Sequence, residues 1–320
     1  MATYKEIKGT NIEVLESDPS NPLDGQVWFN STDNVLRGNV GTPVVAWSTV
    51  NSLNTARTST SGAGIATAAL VVGGYSTTNI ADTESWNGSN WTEVNNLNTA
   101  RSSTGSMGTY TAALTFGGSG SPSYLSNTET WNGSNWTEVN DLNSARRALP
   151  GAGTNTAGLA IGGFEPPGTN KVESWNGSNW TETTDLNTPR YAAAGAGIQT
   201  AALLIGGAGG TPKTELWNGS NWTEVNDLNQ GREALMGSGV QTSAVAYGGT
   251  TPAGAATESW NGTNWTEVND LNNGRIRAAS AGATNTSALA SGGVPAPGSP
   301  SNVAFAEQFA GLTTKTFTDS

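Results

Sequence analysis

Apolar residues in this chain come in short runs, each ending in a pair of glycines. Six such pairs begin at Gly73, Gly117, Gly162, Gly206, Gly248 and Gly292. Runs such as Ala68-Ala-Leu-Val-Val, Ala112-Ala-Leu-Thr-Phe and Ala201-Ala-Leu-Leu-Ile are continuously apolar, the pattern of a strand buried on both faces. A stretch of small residues precedes each run, as in Ser102-Ser-Thr-Gly-Ser-Met-Gly, and predicts a strand for a crowded position. After the run come T-E-S-W, an Asn-Gly turn and W-T-E-V, which predict a hairpin, because Asn and Gly both tolerate positive φ. Gly, Asn, Thr and Ser are too frequent for helices, and no 3.6-residue period persists.

This four-strand unit repeats. The hexapeptide W-N-G-[ST]-N-W starts at Trp86, Trp131, Trp175, Trp217 and Trp260, at spacings of 42 to 45 residues. An Arg opens each unit: Arg57, Arg101, Arg146, Arg190, Arg232 and Arg275. Four short strands in about 44 residues suit a propeller blade, with small side chains innermost, where blades crowd toward the axis. The expected fold is therefore all-β, a six-bladed β-propeller; a β-sandwich with fortuitous repeats is the competing reading.

Arg and Gly-Gly occur six times, but the hexapeptide only five. The last unit has a third strand, Ala306-Glu-Gln-Phe309, with no Trp after it. Trp47-Ser-Thr-Val-Asn-Ser-Leu-Asn-Thr-Ala-Arg57 aligns without a gap on the segment from Trp91 to Arg101. The last blade is thus expected to close with an N-terminal strand, Trp47 to Leu53, which removes a free sheet edge. Lys315-Thr-Phe-Thr is the second-ranked occupant of that slot. With Trp47 counted, the fourth-strand Trp set is Trp47, Trp91, Trp136, Trp180, Trp222 and Trp265. The chain divides into an N-terminal anchoring and hairpin segment (1–46), the propeller (47–310) and a C-terminal tail (311–320).

One Glu per unit, at Glu84, Glu129, Glu173, Glu215, Glu258 and Glu307, matches the six Arg in number. One Arg–carboxylate contact per blade is expected, since a charge buried alone is costly; solvation of both groups at the blade edge is the alternative. Strand alternation puts the loops between second and third strands on one face and the Asn-Gly turns on the other. The turns barely vary, whereas the loops at 75–82, 119–127, 164–171, 208–213, 250–256 and 294–304 vary in length and content. Tyr75, Tyr124 and Phe164 are the candidate binding residues there, because loop aromatics often make contacts. Unconstrained drift of the loops is the alternative. Both propeller termini are expected on the Asn-Gly face.

The apolar strand ending in Gly-Gly, the Trp about a dozen residues later and the second Trp soon after together resemble the Kelch repeat, from residue 47 to about 310. The short Asn-Gly-Ser-Asn turn departs from that family's longer loop. Galactose-oxidase-like proteins also carry such propellers. That resemblance would imply a copper site of His and Tyr with a Cys cross-link, but the chain has no His and no Cys. Their absence also excludes disulfides, a thiolate metal site and the commonest general base. No cofactor and no metal site are expected, and the repeated positions of the Glu residues favour structural roles over a glycosidase pair. A net charge of −11 disfavours nucleic acid and anionic membranes as partners.

Residues 1–46 lie outside the repeat. They predict a β-hairpin, Gln26 to Asn30 and Val35 to Asn39, after a Pro-rich lead-in. The stretch Asp18-Pro-Ser-Asn-Pro-Leu-Asp-Gly-Gln-Val-Trp-Phe-Asn30 is similar to short N-terminal modules of tailed-bacteriophage structural and tail proteins. The resemblance implies a virion component, in tail, fibre or head decoration, made in the host cytoplasm without a signal peptide. It would be attached to other virion proteins through this segment, with a host-surface glycan or protein as the ligand of the other face and a homo-oligomer as a further expectation. A hairpin that simply caps the propeller is the alternative, and a free carbohydrate- or protein-binding propeller is the rival function. Asn87-Gly-Ser and Asn90-Trp-Thr match glycosylation acceptors, but turn chemistry explains them.

Overall fold

Each repeated motif folds as its sequence predicts. In the computed structural model, which describes residues 13–17, 27–38, 46–250, 254–296, 301–310 and 315–316, no helix occurs among the described residues. The first complete unit is a four-stranded antiparallel sheet of Ser61–Ile65, Ala68–Tyr75, Asn79–Trp86 and Trp91–Val94. Four more sheets of the same order follow, the first strands of neighbouring sheets contact one another, and the sixth sheet contacts the first. The sixth consists of Ala279–Thr284, Ser287–Ser291, Ala306–Ala310 and Ala46–Val50, so the slot goes to the N-terminal strand, with Trp47 opposite Phe309. This strand ends at Val50, and Leu53 is a buried residue of the following loop.

The Asn-Gly hairpin is closed by its own side chain. Asn87 Oδ1 accepts from the amides of Ser89 and Asn90 at 2.9 and 2.8 Å, and Gly88 takes φ +90°. The turn sets Trp86 opposite Trp91 with ring centroids 5.1 Å apart. Such pairs recur in the next four blades, and Trp47 with Phe309, at 5.2 Å, serves in the sixth. These rings bury much of the apolar area in a chain that is only 35% hydrophobic.

Four kinds of hydrogen bond join one blade to the next. The second Gly of each pair donates to the carbonyl of the Arg that opens the next blade: Gly74 to Arg101 at 2.9 Å, and so on around to Gly293 and Arg57 at 2.8 Å. Gly73 sits at φ +56°, and a Cβ there would lie 2.6 Å from the Arg101 carbonyl oxygen, so the turn requires glycine. Two residues after each Arg is one in the left-handed region: Ser59, Ser103, Ala148, Ala192, Ala234 and Arg277, with φ between 52° and 55°. Each donates its amide to its counterpart in the preceding blade at 2.7 to 3.0 Å, and Ser59 donates to Arg277 at 2.8 Å, which closes a ring of six bonds.

The other two kinds use side chains. Trp136 Nε1 donates to Thr83 Oγ1 of the preceding blade at 3.1 Å, with equivalents Trp180–Thr128, Trp265–Thr214 and Trp47–Thr257. On the turn face, Asn51, Asn95, Asn140 and Asn226 each donate to the turn of the next blade, as from Asn95 to Ser134 O and Asn135 Oδ1.

A separate unit comprises residues 1–45 and 311–320. Its sheet pairs Glu13–Leu15 in parallel with Val27–Asn30, which forms the expected hairpin with Val35–Gly38 across a turn at 31–34. Lys315–Thr316 adds to the hairpin's other edge rather than to a blade. Most of the phage-like stretch, residues 18–26, lies outside the described residues, as do 311–314 and 317–320 of the tail.

Candidate functional site

The six Arg are structural anchors, each 3% exposed or less. Every one pairs with the third-strand Glu of its own blade: Arg57–Glu84, Arg101–Glu129 at 2.7 Å, Arg146–Glu173, Arg190–Glu215, Arg232–Glu258 at 2.8 Å and Arg275–Glu307. Burial pushes the guanidinium groups of Arg57, Arg101, Arg190, Arg232 and Arg275 below their usual range, and the paired Glu acts against that. Each carboxylate has a second partner that sequence reasoning missed. Asn98 donates its amide and its Nδ2 to Glu129 Oε2, both at 2.8 Å, and Asn54, Asn143, Asn187, Asn229 and Asn272 do the same in their blades. The signal was present as a Leu-Asn three residues before each Arg. All six buried Glu are therefore committed to scaffold contacts.

The six fourth-strand Trp, Trp47, Trp91, Trp136, Trp180, Trp222 and Trp265, are buried at 4 to 7% exposure and belong to the packing between blades. The variable side chains lie at the opposite ends of the blades.

On the loop face, the residue after each Arg binds, backbone to backbone, the residue after each Gly pair. The pairs are Thr58–Tyr75, Ser102–Ser119, Arg147–Phe164, Tyr191–Ala208, Glu233–Thr250 and Ile276–Val294. One backbone frame thus presents twelve positions whose side chains differ from blade to blade. Two of the three predicted binding residues come together there. Tyr124 and Phe164 meet edge-on at 5.9 Å, and Phe164 meets Tyr191 at 4.8 Å. The Arg147 guanidinium lies over Tyr124 at 5.4 Å and over Phe164 at 4.9 Å. Tyr75 is 43% exposed and makes no ring contact among the described residues; its carbonyl accepts from Asn302 Nδ2.

Inside the ring is a central cavity of about 500 Å³, whose lining includes Ser59, Ser103, Arg147, Tyr191, Glu233 and Arg277. Arg147, Tyr191 and Glu233 each directly follow the Arg that opens a blade, where the other blades have Thr58, Ser102 and Ile276.

No family model matches the chain, and no curated protein matches it. Solved structures do. One described as "Structure of YjhT" superimposes with a TM-score of 0.68 over 83% of this chain and 99% of its own, at 13% identity. The chain is a six-bladed β-propeller. At that identity the likeness carries the architecture alone, and propellers of one architecture serve many functions.

Proposed function

We propose that this chain is a non-enzymatic structural protein of a tailed-bacteriophage virion, in tail, fibre or head decoration, whose Kelch-like propeller recognises a host-surface glycan or protein through its loop face. The observation that carries the recognition half is the contrast between frame and display. Six blades repeat the same Arg–Glu–Asn and Gly–Arg contacts, while the backbone-paired positions above them carry residues as different as Thr, Tyr, Ser, Arg, Phe, Glu and Ile. The aromatic and Arg cluster of Tyr124, Arg147, Phe164 and Tyr191 is the kind of anchor that dominates binding energy.

The virion half rests on the N-terminal resemblance. Geometry adds that the chain enters and leaves the propeller side by side, Ala46 opposite Ala310, at the end of blade 6 away from the variable loops. Attachment through either terminus leaves those loops free. The non-enzymatic reading is supported by the buried carboxylates, all held by Arg and Asn.

Two measurements test the halves separately. Antibody against the chain should decorate purified particles; a protein found only free in the lysate sinks the virion assignment and leaves a free binding propeller. Binding of the purified chain to host cells should fall at least tenfold with Phe164→Ala. Equal binding by that variant and by Tyr124→Ala removes the cluster from the reading.

A further inference from the structure

The propeller, residues 46–310, contains eight Arg and two Lys. Six Arg are paired with the third-strand Glu residues. Lys171 pairs with Glu165, and Lys213 with Glu224. Two cations remain, Arg147 and Arg277, and neither forms an ion pair among the described residues. Both line the central cavity.

Their positions around the ring are set by the repeat. Arg147 stands between Arg146, which opens blade 3, and the ring residue Ala148, and Arg277 is itself the ring residue of blade 6. Three blades separate them in a ring of six, so they stand on opposite sides of the axis. Arg147 is half-buried, its guanidinium packed on the Tyr124 and Phe164 rings, whereas Arg277 is exposed. One carboxylate shares the lining, Glu233, whose Oε2 accepts from the Gly209 amide at 2.9 Å.

In a chain of net charge −11, the two propeller cations without an ion pair among the described residues thus line one concavity. Low-dielectric walls focus such a field on an incoming anion. A guanidinium offers paired donors that match a carboxylate or a phosphate. A volume of about 500 Å³ suits a small molecule. The rest of the lining mixes hydroxyls, Ser59, Ser61 and Ser103 among them, with apolar side chains such as Leu149 and Leu235, and Tyr191 adds an aromatic ring, so a sugar's hydroxyls and its apolar C–H faces both find partners.

We infer that the central cavity binds an acidic saccharide, a sugar ring bearing a carboxylate or a phosphate, through Arg147 and Arg277 from opposite sides of the axis. The site belongs to the propeller alone and does not depend on whether a virion carries the chain.

Calorimetric titration of the full chain with D-glucuronate, D-glucose 6-phosphate and D-glucose tests it. At least one acid should bind below about 10 mM and weaken with added salt, and glucose should not bind. Preference between the two acids assigns the anionic group. Arg147→Gln and Arg277→Gln should each weaken binding about tenfold or more, as expected for loss of a hydrogen bond to a charged group. Arg277→Gln alters an exposed side chain and should keep the parent melting temperature. Lys171→Gln should bind like the parent. The inference is overturned if neither acid binds, if glucose binds as well as the acids, or if both Arg variants bind like the parent.

Discussion

The indole of Trp222 packs in one cluster with Val172 of the preceding blade, and its Nε1–H is buried with no hydrogen-bond partner. In four other blades the equivalent Trp donates to a Thr at this place, at 3.1 Å. Trp91, whose neighbouring blade has Ala306 there, donates to Asn51 O instead. Blade 3 alone reads V-E-S-W where its neighbours have T-E-T-W and T-E-L-W.

Val172→Thr should therefore stabilise the protein. Val and Thr have nearly the same shape, and the change supplies an acceptor to a buried donor, a gain of about 1 kcal/mol. Thermal unfolding should shift up by about 2 °C, in line with the size of the domain. A lower midpoint would show that the hydroxyl's desolvation outweighs the bond.

A second gap lies on the turn face. Asn51, Asn95, Asn140 and Asn226 reach across to the next turn, but blade 3 has the exposed Thr184 at this position. Thr184→Asn should restore the contact to Ser220 and Asn221. Since the site is solvated, the gain should be modest, about 0.5 kcal/mol, measured by denaturant midpoint.

Removing Glu129 should be far more damaging. Glu129→Ala leaves Arg101 buried without its counter-charge and strips Asn98 of its acceptor. The expected loss is about 3–5 kcal/mol by chemical denaturation. Glu165→Ala removes the exposed partner of Lys171 and should change stability by less than about 1 kcal/mol. Similar losses in the two variants would contradict the structural role assigned to the buried pairs.

The seam can be tested by truncation. A chain of residues 46–310 keeps all six blades whole and should be monomeric by size-exclusion chromatography. A chain of residues 53–310 lacks the strand paired to Ala306–Ala310 and exposes an unpaired edge, so it should associate or precipitate. A stable monomer from the shorter chain would mean that this strand is dispensable.

The six-fold frame was legible because each structural residue is copied at one position. Arg, Glu and Trp counts agree, and the Trp count places the seam at Trp47. Tyr124 and Phe164 were legible as loop aromatics, but their shared partner Arg147 was not. It follows the anchor Arg146 directly in sequence and points to different surroundings, a distinction that only the bridge to Phe164 reveals. The Asn54 series was overlooked because an Asn in a polar loop normally signals a turn, and here its side chain completes the coordination of Glu84. The left-handed ring was invisible because Ser and Ala carry no mark of positive φ. Lys315–Thr316 lacks the repeat's Trp, and the structure pairs it with the hairpin at Val35–Gly38.

The pairing of Ala46–Val50 with Ala306–Ala310 also has a consequence for synthesis. The first of these strands leaves the ribosome some 250 residues ahead of its partner, an interval of about 10–50 s at ordinary elongation rates. During that time blades 1 to 5 can form in order from local hairpins, while Ala46–Val50 lacks the strand it pairs with. Correct assembly requires this early strand to wait, and to avoid joining the open edge of a neighbouring nascent molecule, until the last blade arrives to receive it.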